Sequence, residues 1–114
     1  MSVKLTTRQV GDVTVIDAVG RITLGDGAST FRDTIRDLAG KGQKKLLLNL
    51  AEVSYIDSSG IGEMVSGFTT VSNQGGQLKL LNLTKRVKDL LQITKLYTVF
   101  EVFEDEAAAV RSYS

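Results

Sequence analysis

Val3, Leu5 and Thr7 alternate with Lys4, Thr6 and Arg8 at the start of the chain, the period of a half-buried strand. Val10-Gly11-Asp12 follows as a tight turn. The β-rich run from Val13 to Val19 then returns, so residues 3–19 predict a hairpin that Gly20 ends. Thr23-Leu24-Gly25-Asp26-Gly27 reads as a loop, with Asp26 placed to cap the next helix. Ala28, Phe31, Ile35, Leu38 and Ala39 fall on one helical face, while Arg32, Asp33, Arg36 and Asp37 fall off it. Gly40 and Gly42 bracket the stop.

Leu46-Leu47-Leu48-Asn49-Leu50 is apolar on both faces, as an interior strand covered on both sides must be. A short run ends in Val53-Ser54-Tyr55-Ile56, and Ile61, Met64, Val65, Phe68 and Val71 then recur at helical spacing up to Asn73-Gln74-Gly75-Gly76. Leu78, Leu80 and Leu81 predict another strand, and Thr84 can cap a helix carrying Val87, Leu90 and Leu91. Tyr97 to Phe103 predicts a short final strand. Glu104, Asp105 and Glu106 open a last helix and Arg111 lies near its end, both matching the helix dipole. The order β-β-α-β-α-β-α-β-α implies right-handed crossovers and parallel strands beside the opening hairpin. The expected fold is therefore α/β, with a mixed sheet of four to five strands and about four helices.

Composition narrows the function. The chain has 114 residues, the size of one domain, so residues 1–114 are expected to form a single unit. Fourteen basic and thirteen acidic residues leave a net charge of +1, which argues against a nucleic-acid binder working through bulk charge. No apolar run approaches the ~20 residues needed to span a bilayer. Met1-Ser2-Val3-Lys4 lacks the apolar stretch of a signal peptide, so a cytoplasmic protein without membrane insertion is expected. Cysteine and histidine are both absent, which removes thiolate chemistry, the commonest general base and the commonest metal ligand. A Ser–His–Asp triad cannot be assembled from this chain. A binding or switching module without metal or cofactor is the expectation.

Asp57-Ser58-Ser59-Gly60-Ile61-Gly62 is where such a module would act. It lies at a strand-to-helix turn, and a helix start tolerates an added anion through its free N–H groups and its dipole. Ser58 and Ser59 fit either helix capping or a phosphate acceptor, and Asp57 is by default a turn or cap residue. Gly60 and Gly62 allow turn geometry and close packing. Ile61 is compatible with either the core or a partial contact. Gly25-Asp26-Gly27 lacks the spacing and lysine of a P-loop and reads as a connecting loop. Lys85-Arg86-Val87-Lys88 puts positive charge at the unfavourable end of a helix dipole. It is either a solvated first turn or a patch for an anion or an acidic partner.

Tyr55-Ile56-Asp57-Ser58-Ser59-Gly60-Ile61-Gly62 resembles the signature of STAS domains, specifically the bacterial anti-sigma factor antagonists. Gly20, the approach from Gly40 to Leu50, Gly75-Gly76-Gln77-Leu78 and the segment from Phe100 to Val110 fall where that family places them, so the resemblance covers nearly the whole chain. It implies a switch without enzyme activity. A serine-kinase anti-sigma factor phosphorylates the serine after the aspartate, the unphosphorylated antagonist sequesters that anti-sigma factor and frees the sigma factor, and a serine phosphatase resets the cycle. Carried over, Ser58 is the acceptor. Asp57, Ser59, Gly60, Ile61 and Gly62, with Thr23 and Asp26 of the earlier loop, form the partner surface. Thr23 departs from the family, which usually carries an acidic residue shortly after Gly20, and Asp26 is the candidate substitute. The alternative is a STAS subunit of a lipid-transport or sensory complex, in which the serine turn is a constitutive contact.

Overall fold

The computed structural model describes residues 3–113. Met1 and Ser2, part of the N-terminal segment considered above, lie outside the described residues. Five strands form one sheet in the order β1-β2-β3-β4-β5: β1 (Val3–Val10), β2 (Val13–Ile22), β3 (Lys45–Ile56), β4 (Gln77–Leu81) and β5 (Val102–Phe103). The β1–β2 hairpin is antiparallel and the remaining pairings are parallel. Four helices, α1 (Asp26–Gly40), α2 (Ser58–Asn73), α3 (Lys85–Ile93) and α4 (Glu106–Arg111), alternate with the strands. The expected mixed α/β architecture is present. Among the described residues no helix is long and apolar enough to cross a membrane.

Two apolar clusters cover the two faces of the sheet. The larger joins Ile16, Leu46, Leu48 and Leu80 to Phe31 and Ile35 of α1, Ile61 and Met64 of α2, and Val87 and Leu91 of α3. The smaller sets Val13, Val15, Leu47 and Leu81 against Ala109 of α4. The leucine run of β3 is thus divided between both faces, which is why it has no polar side.

Several boundaries differ from the sequence expectation, each for a local reason. Gly20 does not end the second strand. Its φ of 113° is open to glycine alone, and it lies at a register shift after which Arg21 and Ile22 resume pairing with Tyr55 and Ile56. The runs around Leu46–Leu50 and Val53–Ile56 are one continuous strand. The final strand shrinks from Tyr97–Phe103 to Val102–Phe103, because only those two residues pair with β4. Asp26 does not cap α1: the cap position is Gly25, with no side-chain hydrogen bond, and Asp26 is the first helical residue. Thr84 caps α3 as expected, accepting from Val87 N at 3.3 Å, and Asp105, expected only to match the dipole, caps α4 by accepting from Ala108 N at 2.9 Å.

Candidate functional site

The end of β2 and the end of β3 deliver two helix starts to the same place. Gly27 of α1 approaches the Arg21 carbonyl so closely that a Cβ would lie 2.6 Å from it, and a Cβ on Gly60 of α2 would lie 2.1 Å from the Ile22 carbonyl. No other residue type fits that separation without displacing backbone. The Asp57 N–H donates to the same Ile22 carbonyl at 3.3 Å. Gly27 therefore serves close helix–strand contact, and with Asp26 it belongs to the first turn of α1 instead of the connecting loop expected for Gly25-Asp26-Gly27.

Asp57 is the tie between the two starts. One carboxylate oxygen accepts from Gly60 N at 2.9 Å, capping α2, and the other accepts from Leu24 N at 2.9 Å, holding the β2–α1 loop. Partial desolvation pushes the carboxyl pKa up, but the backbone N–H groups of Leu24, Gly60 and Ser59 outweigh it and leave the group below the usual carboxylate value. Asp57 is a fixed anion whose oxygens are committed to backbone donors. That geometry makes it a poor proton acceptor for its neighbour.

Capping by Asp57 releases the serines from the capping role the sequence left open. Ser58 and Ser59 are the first two residues of α2. Ser58 is exposed, and among the described residues its hydroxyl has no hydrogen-bond partner. Gly62 is also exposed, with open space where a Cβ would stand. Ile61, in contrast, is only 3% exposed and belongs to the core, so its side chain offers no surface contact. Gly60 is buried under β2. Thr23 is half-buried, its carbonyl accepting from Ala28 N at 2.8 Å, while Asp26 is exposed in the first turn of α1. The structure thus brings Thr23, Asp26, Asp57 and Ser58 to one end of the sheet and withdraws Gly60 and Ile61 into the packing beneath.

Besides Val19 on β2, three exposed apolar residues escape sequence reasoning. Leu24 in the loop held by Asp57 is 79% exposed, Ile93 at the end of α3 is 77% exposed, and Tyr55 two residues before Asp57 is 36% exposed. The Arg86 guanidinium stacks over the Tyr55 ring at 5.0 Å, a favourable cation–π contact. Each falls in an unremarkable local context. Leu24 sits in a loop, Tyr55 at a position that could face either way, and Ile93 at helical spacing with Leu90. Only the exposed lysine–arginine start of α3 gave a sequence signal for this side of the turn.

Residues 4–109 match the family model of the STAS domain. The anti-sigma-B factor antagonist of Bacillus subtilis is 33% identical over 102 residues, covering 90% of this chain and 92% of that protein. A crystal structure from Thermotoga maritima, described as that of an anti-sigma factor antagonist, is similar with a TM-score of 0.88 at 24% identity, covering 95% of this chain and 92% of its own. The phosphorylated form of the Bacillus cell-fate determinant SpoIIAA is similar with a TM-score of 0.76 at 19% identity, covering 97% of this chain and all (100%) of its own. The structural likenesses speak to the fold, and the family match spans both halves of the serine turn and all five strands. This chain belongs to the STAS domain family.

Proposed function

We propose that this protein is an anti-sigma factor antagonist, a single STAS domain acting in the cytoplasm as a phosphorylatable switch without catalysis of its own. Unphosphorylated, it sequesters a kinase-type anti-sigma factor and so frees a sigma factor. The kinase transfers the γ-phosphoryl group of ATP to Ser58 Oγ, ADP departs, and the hydroxyl proton passes to a base of the kinase. A serine phosphatase reverses the modification. The single observation that carries this reading is the Ser58 hydroxyl, exposed and unpartnered at the start of a helix already capped by Asp57.

The same geometry explains how one phosphate would switch binding. A phosphate adds about −1.5 to −2 charges, and the α2 start tolerates them without unfolding. In a closed interface that charge would lie beside the fixed Asp57 anion and suffer both repulsion and desolvation. Ser58→Asp is expected to weaken binding to the anti-sigma factor by roughly tenfold or more, about 1.4 kcal/mol, while Ser58→Ala binds as tightly as the unmodified protein. Titration calorimetry with the purified kinase decides it, and equal affinity of the two variants would sink the switch. Phosphate mapping on protein isolated from resting and stressed cells checks the acceptor directly.

A second reading is favoured by Thr23, which stands where an acidic residue is usual beside the acceptor. A STAS subunit of a lipid-transport or sensory complex would use the same turn as a constant contact. Absence of phosphate on Ser58 under every condition, with stable co-purification of membrane-associated subunits, would support it.

A further inference from the structure

Beside the Ser58 turn, the end of β3 and the outer face of α3 enclose a groove of about 480 Å3. Ile56 and Leu90 line it, Tyr55 and Ile93 stand on its apolar edges, and Lys85 and Arg86 supply its charge. Asp89 also borders it and faces Lys85 at 3.5 Å. Among the described residues neither Arg86 nor Lys88 makes an ion pair. These cations occupy the first turn of α3, where the helix dipole is already positive. The arrangement costs the isolated protein stability on two counts, through exposed apolar side chains and through cations at the wrong helix end. Both costs are reversed by an occupant that is apolar and acidic.

We propose that this groove is a second recognition surface for the partner that binds the Ser58 turn. It receives an acidic segment of that partner, whose carboxylate meets Arg86 and Lys85 and whose adjacent apolar side chain lies between Tyr55 and Ile93. The inference rests on the anti-sigma factor reading above. Continuity along the chain supports a shared partner, because Tyr55 and Ile56 run directly into Asp57 and Ser58. Interface size supports it too. Ser58, Ser59, Gly62 and Leu24 present mostly small side chains, whereas a stable interface covers roughly 800 Å2 per partner and is anchored by aromatic and arginine residues. The groove supplies both kinds of anchor and extends the contact away from the phosphorylation site.

The test is a titration of the kinase-type anti-sigma factor that binds Ser58→Ala, against full-length Arg86→Glu and Ile93→Ser. Both side chains are exposed and both replacements remove an unfavourable feature of the free protein, so melting temperatures should not fall below the parent's. Each variant is expected to lose affinity at least tenfold, with Arg86→Glu also slowing association and flattening its salt dependence. Reversing the facing acid on the partner to lysine should restore Arg86→Glu. Affinities within twofold of the parent for both variants would overturn the groove. If Ser58→Asp still abolished binding in that case, the switch reading would stand and the groove alone would fall. If no kinase-type anti-sigma factor bound the parent, both would fall together. A concentration-dependent dimer dispersed by Ile93→Ser would mark the groove as a self-association surface and overturn the assignment.

Discussion

Gly60 and Gly62 stand near the start of α2, and a single methyl group tells them apart. At Gly60 a Cβ would meet the Ile22 carbonyl at 2.1 Å and the Ile56 side chain at 2.6 Å. At Gly62 it would meet nothing within 4 Å. Gly60→Ala is therefore expected to destabilise the fold by about 3 kcal/mol, the upper part of the range for overpacking, because the obstacle is backbone. Gly62→Ala should stabilise it by about 0.5–1 kcal/mol through helix propensity alone. Urea denaturation of the two variants measures both, and a similar change of the same sign would contradict the assignment. The pair also separates roles that the motif presents as one. Gly60 is needed to bring Ser58 to the end of β2, whereas Gly62 is free to be kept small for a partner. Gly62→Ala should then raise stability slightly while exposing any cost at the partner surface, readable in the same binding titration as Ser58→Asp.

The elements the sequence predicts best are those whose periodicity is self-contained. β1 alternates, β2 is a β-rich run beyond a tight turn, the leucines of β3 are broken only by Asn49, and α1, α2 and α3 carry apolar residues at helical spacing. Where pairing decides, the sequence is silent. Nothing local says that β2 continues past Gly20 or that β5 has only two residues, since both depend on the facing strand. The candidate site divides in the same way. Asp57 and Ser58 are legible because a strand, a cap and a helix start follow one another in the chain. The apolar surroundings at Leu24, Tyr55 and Ile93 become visible only when distant elements converge. α4 is the element least able to stand alone, with six residues, well under the ~12 an isolated helix needs. Tertiary contacts hold it. Ala109 is buried against Leu47 and Leu81, and the Tyr113 hydroxyl donates to the Leu46 carbonyl. Lys79 Nζ donates to Ser112 Oγ at 2.8 Å, pairs with Glu101 at 3.0 Å and lies 4.4 Å from the Tyr113 ring centre. Much of the Lys79 contribution is its buried stem. Lys79→Met is expected to stay within about 1 kcal/mol of the parent, because its Glu101 partner is exposed and returns to water instead of being left as a buried unpaired charge. Lys79→Ala should cost about 2–3 kcal/mol by leaving a cavity. Equal losses in the two variants would mean that the charge, and not the packing, secures the C-terminal helix.

Across the whole molecule, the small net charge hides a polar row that crosses three strands and reaches the residue just past the fourth on the α4 face. Arg8 of β1 bonds Asp17 of β2 at 2.7 Å and reaches Glu106 of α4 at 2.5 Å. Asp17 in turn accepts from Asn49 of β3 at 2.8 Å, and Asn82 beyond β4 approaches Asn49 at 3.5 Å. The row closes the edge of the smaller apolar cluster and fastens α4 to the hairpin at the opposite end of the chain. Hydrogen bonds from Arg8 hold the Asp17 and Glu106 carboxyl groups below their usual pKa. Lys45 does the same for Asp12, and the backbone N–H groups of Leu24 and of the Ser58 turn do so for Asp57 against its partial desolvation. A carboxyl group with a depressed folded-state pKa binds its proton more weakly in the folded than in the unfolded chain. Its contribution is complete above the unfolded value near 4 and disappears as pH falls through the folded value. Stability should thus be level from about pH 7 to 5 and fall steeply below about pH 4. Exposure and salt keep each surface pair modest, so the effect is collective. Arg8→Met removes the shared partner of Asp17 and Glu106 while keeping an apolar stem. It should lower the urea midpoint at neutral pH and flatten the acid limb, bringing the two proteins closer together at pH 3 than at pH 7. Parallel midpoint curves across that range would show that the Arg8 row contributes nothing to acid sensitivity, leaving Asp57 and Asp12 to account for it. Asp57→Asn would then separate those two by testing whether the acid limb reports the Ser58 turn.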